Sequence, residues 1–129
     1  MYASYRDLEL EVIRWAEARQ ILKHSTPVAQ SRKTLEEAGE LLEAAAALKV
    51  CDDLAKLFPG LPHRDEFIEY QAKWLDKFKD AAGDTLVALI NGCALADVDL
   101  VDCLREAYGQ IKDRKGYLSV DGVFVKEGA

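Results

Sequence analysis

The sequence predicts an all-α bundle of four to five helices that ends in a short β-hairpin. Three observations carry that expectation. Apolar residues recur at helical spacing along most of the chain. Proline and glycine fall where helices would start or stop, at Pro27, Pro59, Gly60 and Pro62. Only the tail alternates, in Tyr117–Val125 around Asp121-Gly122.

Taken in order, Leu8, Val12, Trp15, Ala16, Arg19 and Leu22 share one face of a helix expected over residues 5–23. Ser25-Thr26-Pro27 breaks it and starts the next, with Thr26 as N-cap and Pro27 at the first helical position. That second helix is expected over about 27–49, where Ala44–Ala47 favours helix and lets a neighbour approach. Asp52–Phe58 reads as a short helix ended by Pro59-Gly60. Residues 63–95 are helical again, with breaks expected near Gly83 or Gly92. Asp97 or Asp99 caps a last helix to about 114, with Val101, Leu104, Tyr108 and Ile111 as its apolar stripe. A lone hairpin is marginal in water, so the tail is expected to pack on the bundle or on another subunit.

The 129 residues suit one domain, 1–129, with one core. Half the residues are hydrophobic and 31% are charged, which is the balance of a folded chain. The net charge of −6 argues against a nucleic-acid polymer as partner, but not against a nucleotide whose phosphates a metal bridges to carboxylates. Cys51, Cys93 and Cys103 have neither disulfide nor zinc spacing, and are read as reduced, mostly buried residues of a cytoplasmic protein. Arg6, Asp7, Glu9 and Glu11 interrupt the start, so no secretory leader is expected there. No apolar run reaches the ~20 residues of a membrane span, so no membrane association is expected.

Two acidic clusters, about forty residues apart, carry the chemistry. The first is Leu35-Glu36-Glu37-Ala38-Gly39-Glu40-Leu41, the second Lys79-Asp80-Ala81-Ala82-Gly83-Asp84-Thr85-Leu86. At about 100° per residue, Glu36, Glu40 and Glu43 share a polar stripe, while Glu37 falls off it, towards Leu41 and Leu48. Glu37 and Glu40 are still close enough to share an ion. Asp80 and Asp84 lie one turn apart, Asn91 continues their line, and Ala88 leaves room between them. Leu86, Leu89, Ile90 and Cys93 are expected to fill the opposite side. Solvated helix faces would account for most of these acids, but poorly for Glu37 and for the mid-helix Asp84. Two carboxylate pairs on facing helices would instead hold magnesium, which prefers carboxylates plus water and phosphate oxygens. Phosphoryl or nucleotidyl transfer fits that donor set, with a neighbouring Glu free to take a proton from water. Lys112, Arg114 and Lys115 could meet phosphate oxygens, although cations at a helix C-terminus are also expected from the dipole alone.

The stretch Gln30–Leu41 and the stretch Lys79–Val87 resemble the two acidic motifs of the MazG-like, all-alpha NTP pyrophosphohydrolase family. Ile111-Lys112-Asp113-Arg114-Lys115-Gly116 and Asp121–Glu127 are similar to the ending of its phage-type branch. The resemblance covers residues of about 12–50 and 77–127. It implies a bundle that forms a homodimer or homotetramer. It also implies Mg2+-dependent hydrolysis (with Mn2+ as substitute) between the α- and β-phosphates of a nucleoside triphosphate, giving a monophosphate and pyrophosphate. By position it implies Glu37, Glu40, Asp80 and Asp84 as metal ligands, with Glu36 and Glu37 as the catalytic acids. Glu36 is there either a further ligand or a proton acceptor. Lys112 resembles the family's phosphate-contacting lysine, with Arg114 beside it. Trp15, Gln30 and Lys33 stand where the family forms its nucleotide pocket, and Asn91 extends the acidic face as a further substrate contact. Trp15 is either a base-stacking or a core residue.

Ala81 stands where many members carry a second Glu, and Asp113 where many carry Asn. Residues 50–76, with Pro59, Pro62, Phe67, Tyr70 and Trp74, look like an inserted helical element serving as lid, oligomer contact or extra core. These departures favour the alternative of a non-catalytic helical interaction protein with a degenerate nucleotide site. A ferritin-like redox site would need a Glu-x-x-His pattern that His24 and His63 do not supply.

Overall fold

The structure is a computed structural model that describes residues 4–128. It contains five α-helices and one two-stranded antiparallel hairpin, in the order α1 (Tyr5–Ala18), α2 (Ile21–His24), α3 (Pro27–Leu57), α4 (Asp65–Leu95), α5 (Leu100–Ile111), β1 (Gly116–Leu118) and β2 (Phe124–Lys126). A single 3-10 turn, Leu61–His63, joins α3 to α4. The all-α class and the C-terminal hairpin are therefore as the sequence predicts. Backbone contacts divide the chain into two compact units between Asp97 and Val98. No helix of the described residues is long and apolar enough to cross a membrane.

Local chemistry sets the helix starts. Ser4 and Asp7 form a reciprocal capping box on α1: the Asp7 N–H donates to Ser4 Oγ at 3.1 Å, and the Ser4 N–H to Asp7 Oδ2 at 3.4 Å. Thr26 Oγ1 accepts from the Ala29 N–H at 3.1 Å, with Pro27 opening α3 as expected. Asp99 Oδ1 caps α5 by accepting from the Val101 N–H at 2.9 Å.

Three expectations about element boundaries change. The first helix stops at Ala18, and Gln20 takes a left-handed φ of 62°, so α2 is a separate turn. No proline or glycine marks that break; Gln20 bears the left-handed conformation itself, and Ile21 thereby joins Trp15 on one cleft. The second helix does not end near residue 49 but runs unbroken to Leu57, and α4 passes through Gly83 and Gly92 without interruption. Residues 50–76 thus form no separate element. Residues 50–57 complete α3, 61–63 make the turn, and 65–76 begin α4.

In the first unit α3 packs along α4, and α1 joins them against α4. The contact is made by small residues: Ala44 and Cys51 of α3, Ala81 and Ala88 of α4 and Ala16 of α1 are buried, with Ile90 the one large aliphatic among the buried residues described. Gly92 faces the head of α3, where a Cβ would stand 3.4 Å from Gln30 Cβ, about ordinary contact distance. Both acidic clusters lie on helices with long exposed faces. Leu86 and Leu89, expected to fill the inner side of α4 with Ile90 and Cys93, are only partly covered. Cys51 is buried, but Cys93 is half-buried and Cys103 exposed, so the expectation of buried thiols holds for one of them; all three are free.

In the second unit, β1 pairs with β2 in the register Gly116↔Lys126, Tyr117↔Val125 and Leu118↔Phe124. The turn between them closes at Gly122, whose φ of 82° suits the Asp-Gly signal. The final helix ends at Ile111, earlier than expected, which leaves Lys112 as its C-cap and Arg114 in the turn beyond.

Candidate functional site

Two adjoining clefts in the first unit collect most of the residues singled out by the sequence. One, of about 550 Å³, is lined by Trp15 and Ile21, by Gln30, Lys33 and Glu37 of α3, and by Asp84 and Asn91 of α4 among others. The other, of about 370 Å³, is lined by Glu40 and Glu43 of α3 and by Trp74, Lys77, Asp80 and Ala81 of α4. Asp84 borders both. The larger is of a size common for small-molecule sites, about 300–1,000 Å³.

Helical phase explains the division of labour on α3. Glu37, off the polar stripe, is only 6% exposed, whereas Glu36, Glu40 and Glu43 face solvent. The Lys33 ammonium meets Glu37 Oε1 at 3.1 Å and Glu36 Oε1 at 3.5 Å. These contacts, the hydrogen bond to Glu37 first, push the Lys33 ammonium above its usual range. Glu37 Oε2 is buried and has no hydrogen-bond partner. The charge of Glu37, one turn away, then a hydrogen bond between the two carboxyls, burial and Glu36 push the Glu40 carboxyl up. A crowded, partly unpaired carboxylate pair of this kind gains from a cation.

On α4, Asp80 and Asp84 are exposed and Asn91 is buried at 3% exposure, its Oδ1 without a partner. Ala81 is buried in the helix contact, so its small side chain leaves space in the smaller cleft where a longer one would intrude. Thr85 Oγ1 donates to the Ala81 carbonyl at 2.6 Å, which turns its hydroxyl back onto its own helix. Gln30 Nε2 donates to Ser25 Oγ at 3.0 Å, anchoring that amide at the cleft edge. Trp15 is 46% exposed on the cleft wall, so of its two expected roles it is not a core residue.

Among the described residues, no group of three or more His, Cys, Asp or Glu side chains is gathered as a metal site in this arrangement. The donor chemistry nonetheless fits a hard divalent ion: Glu37, Glu40, Asp80 and Asp84 offer oxygen only, on two helices packed together. Lys112 and Arg114 belong to the second unit, at the C-terminal end of α5.

Two features at or near the site were not anticipated. Trp74 Nε1 is buried without a partner beside the acidic cleft, with the Lys77 ammonium 4.8 Å from its ring centroid. Glu9 is buried on α1 and paired with Arg6. Glu9 and Ala16 share a helical face, which a reading anchored on Leu8 and Trp15 passes over. No protein-family model, curated protein or solved structure matches this chain.

Proposed function

We propose that this protein is a divalent-cation-dependent nucleotide pyrophosphohydrolase, converting a nucleoside triphosphate or deoxynucleoside triphosphate and water to the monophosphate and pyrophosphate. The observation that carries this reading is the gathering of Trp15, Gln30, Lys33, Glu37, Asp84 and Asn91 on one cleft. The neighbouring cleft adds Glu40 and Asp80. The likeness of the two acidic motifs to the MazG-like family, its phage-type branch in particular, supports the same reading, as does the all-α fold.

Glu37, Glu40, Asp80 and Asp84 would hold Mg2+, or Mn2+ in its place. Bound there, the ion would neutralise phosphate charge and acidify water. The residues of the chain do the rest. The apolar wall and the Trp15 ring receive the base, while Gln30 and Asn91 offer amides to its polar edge. Glu36, exposed beside Glu37, accepts the proton of the attacking water or adds a ligand. By the family resemblance alone, Lys112 and Arg114 are assigned to phosphate contact. A cytoplasmic location and a homodimer or homotetramer are part of the proposal.

The test is pyrophosphate release from a panel of normal and modified nucleoside triphosphates, with Mg2+ and with chelator. Release that needs Mg2+, and that is lost in Glu37→Gln/Asp84→Asn while the fold persists, is the expected result. Unchanged turnover in that double variant sinks the assignment. A second reading, a non-catalytic interaction protein, is favoured by Ala81 and by the spread of the carboxylates over two clefts. It predicts no release from any nucleotide.

A further inference from the structure

We infer that Lys33 is a built-in stand-in for the divalent cation, holding Glu37 in the cation-free protein and passing to a polyphosphate oxygen when a cation takes Glu37. The inference rests on the proposed site and extends it to the order and coupling of binding. Three observations carry it. Glu37 is more than nine-tenths buried, and a buried carboxylate needs a countercharge. The Lys33 ammonium supplies one at 3.1 Å, on Oε1 alone, and leaves Oε2 without a partner. Lys33 itself is half exposed and lines the same cleft as Glu37, Asp84 and Asn91, so its long side chain can leave Glu37 without leaving the cleft.

The groups around Lys33 make the exchange directional. Its partners are Glu36 and Glu37, both on α3 and both anionic, and Asp84 stands on the facing wall. A divalent ion taking Glu37 by both oxygens removes the atom that Lys33 holds, and the two cations repel each other at that distance. Cation binding therefore displaces Lys33 from Glu37. The freed ammonium keeps Glu36 within reach and remains on the cleft wall, where phosphate oxygens offer it a further anionic partner. Cation and polyphosphate thus favour each other's binding, and by linkage the coupling is equal in both directions.

The experiment uses the whole chain and binding alone, without turnover. Mn2+ is titrated calorimetrically into the wild-type, Lys33→Met and Glu37→Gln proteins, and inorganic tripolyphosphate is then titrated into each Mn2+-loaded protein. Lys33→Met keeps the length of the side chain and removes its charge. It is expected to bind Mn2+ about tenfold more tightly than wild type and tripolyphosphate about tenfold more weakly, each worth about 1.4 kcal/mol. Without metal, the same variant should melt at a lower temperature, because Glu37 loses its countercharge, and Mn2+ should raise its melting temperature by more than it raises that of wild type. Opposite signs for the two ligands are what a merely structural lysine would not produce. Mn2+ binding that Glu37→Gln abolishes but Lys33→Met leaves unchanged overturns the exchange and leaves the proposed site standing. No Mn2+ binding by wild type or by Lys33→Met overturns both.

Discussion

Single residues decide the electrostatics of this protein. Glu37 is buried because its phase on α3 differs from that of Glu36 and Glu40, and its neighbours then adjust: Lys33 is drawn in and Glu40 is pushed up. A second buried acid, Glu9, acts on Tyr5 in a similar way. Partial loss of hydration at Tyr5, which is still 40% exposed, followed by a hydrogen bond to Glu9 and the Glu9 charge, pushes its phenol from 10.0 up to about 12. Because its folded value lies above its unfolded one, Tyr5 favours the folded state fully below pH 10.0, and that contribution is lost as pH rises through about 12. An ultraviolet titration should show a late-ionising phenol that is missing in Tyr5→Phe and ionises earlier in Glu9→Gln. Wild-type and Tyr5→Phe titrations that differ only near pH 10.0 would contradict this account.

At the level of elements, the α3–α4 pair positions everything else. Two 31-residue helices lie against each other through alanines, which brings carboxylates from both helices to adjoining clefts. The close approach depends on there being no larger side chain at Ala44, which is fully buried. Ala44→Leu should therefore cost about 1–3 kcal/mol through overpacking. Urea denaturation is the measure, and a cost near zero would mean that the helices separate easily. The change should also weaken Mg2+-dependent stabilisation, since it pushes apart the helices that carry the proposed ligands.

Across the whole molecule, the apolar surface exceeds what one copy buries. Val28, Leu35 and Leu42 recur every seventh residue along α3, and Leu35 and Leu42 are 75% and 71% exposed. A stripe of this kind at heptad spacing would suit a helix-helix contact. The proposed homo-oligomer would cover it. Light scattering should find the wild-type chain at two or more times its 14.4 kDa mass, and Leu35→Glu/Leu42→Glu should shift it towards the monomer. A wild-type monomer at micromolar concentration would remove the oligomer from the proposal.

The sequence by itself determined the helical class, the Thr26-Pro27 start of α3, a cap of α5 at Asp97 or Asp99 and the Asp-Gly turn of the hairpin, because each depends on hydrogen bonds and dihedral preferences within a few residues; the fold chose Asp99. It also marked Glu37 as the odd acid, since helical phase is a local property. Other features needed the packed chain. The break at Gln20 carries no proline or glycine signal, and α3 continues through residues 50–57, where the local pattern allows a stop. Burial of Glu9, the unpartnered Trp74 Nε1 and the placement of Asp84 on two clefts at once arise from which helix lies opposite which. Local preference sets where a helix begins and which residues share its face. Only tertiary contact decides which of those faces loses its water, and that loss gives a carboxylate here its need for a countercharge.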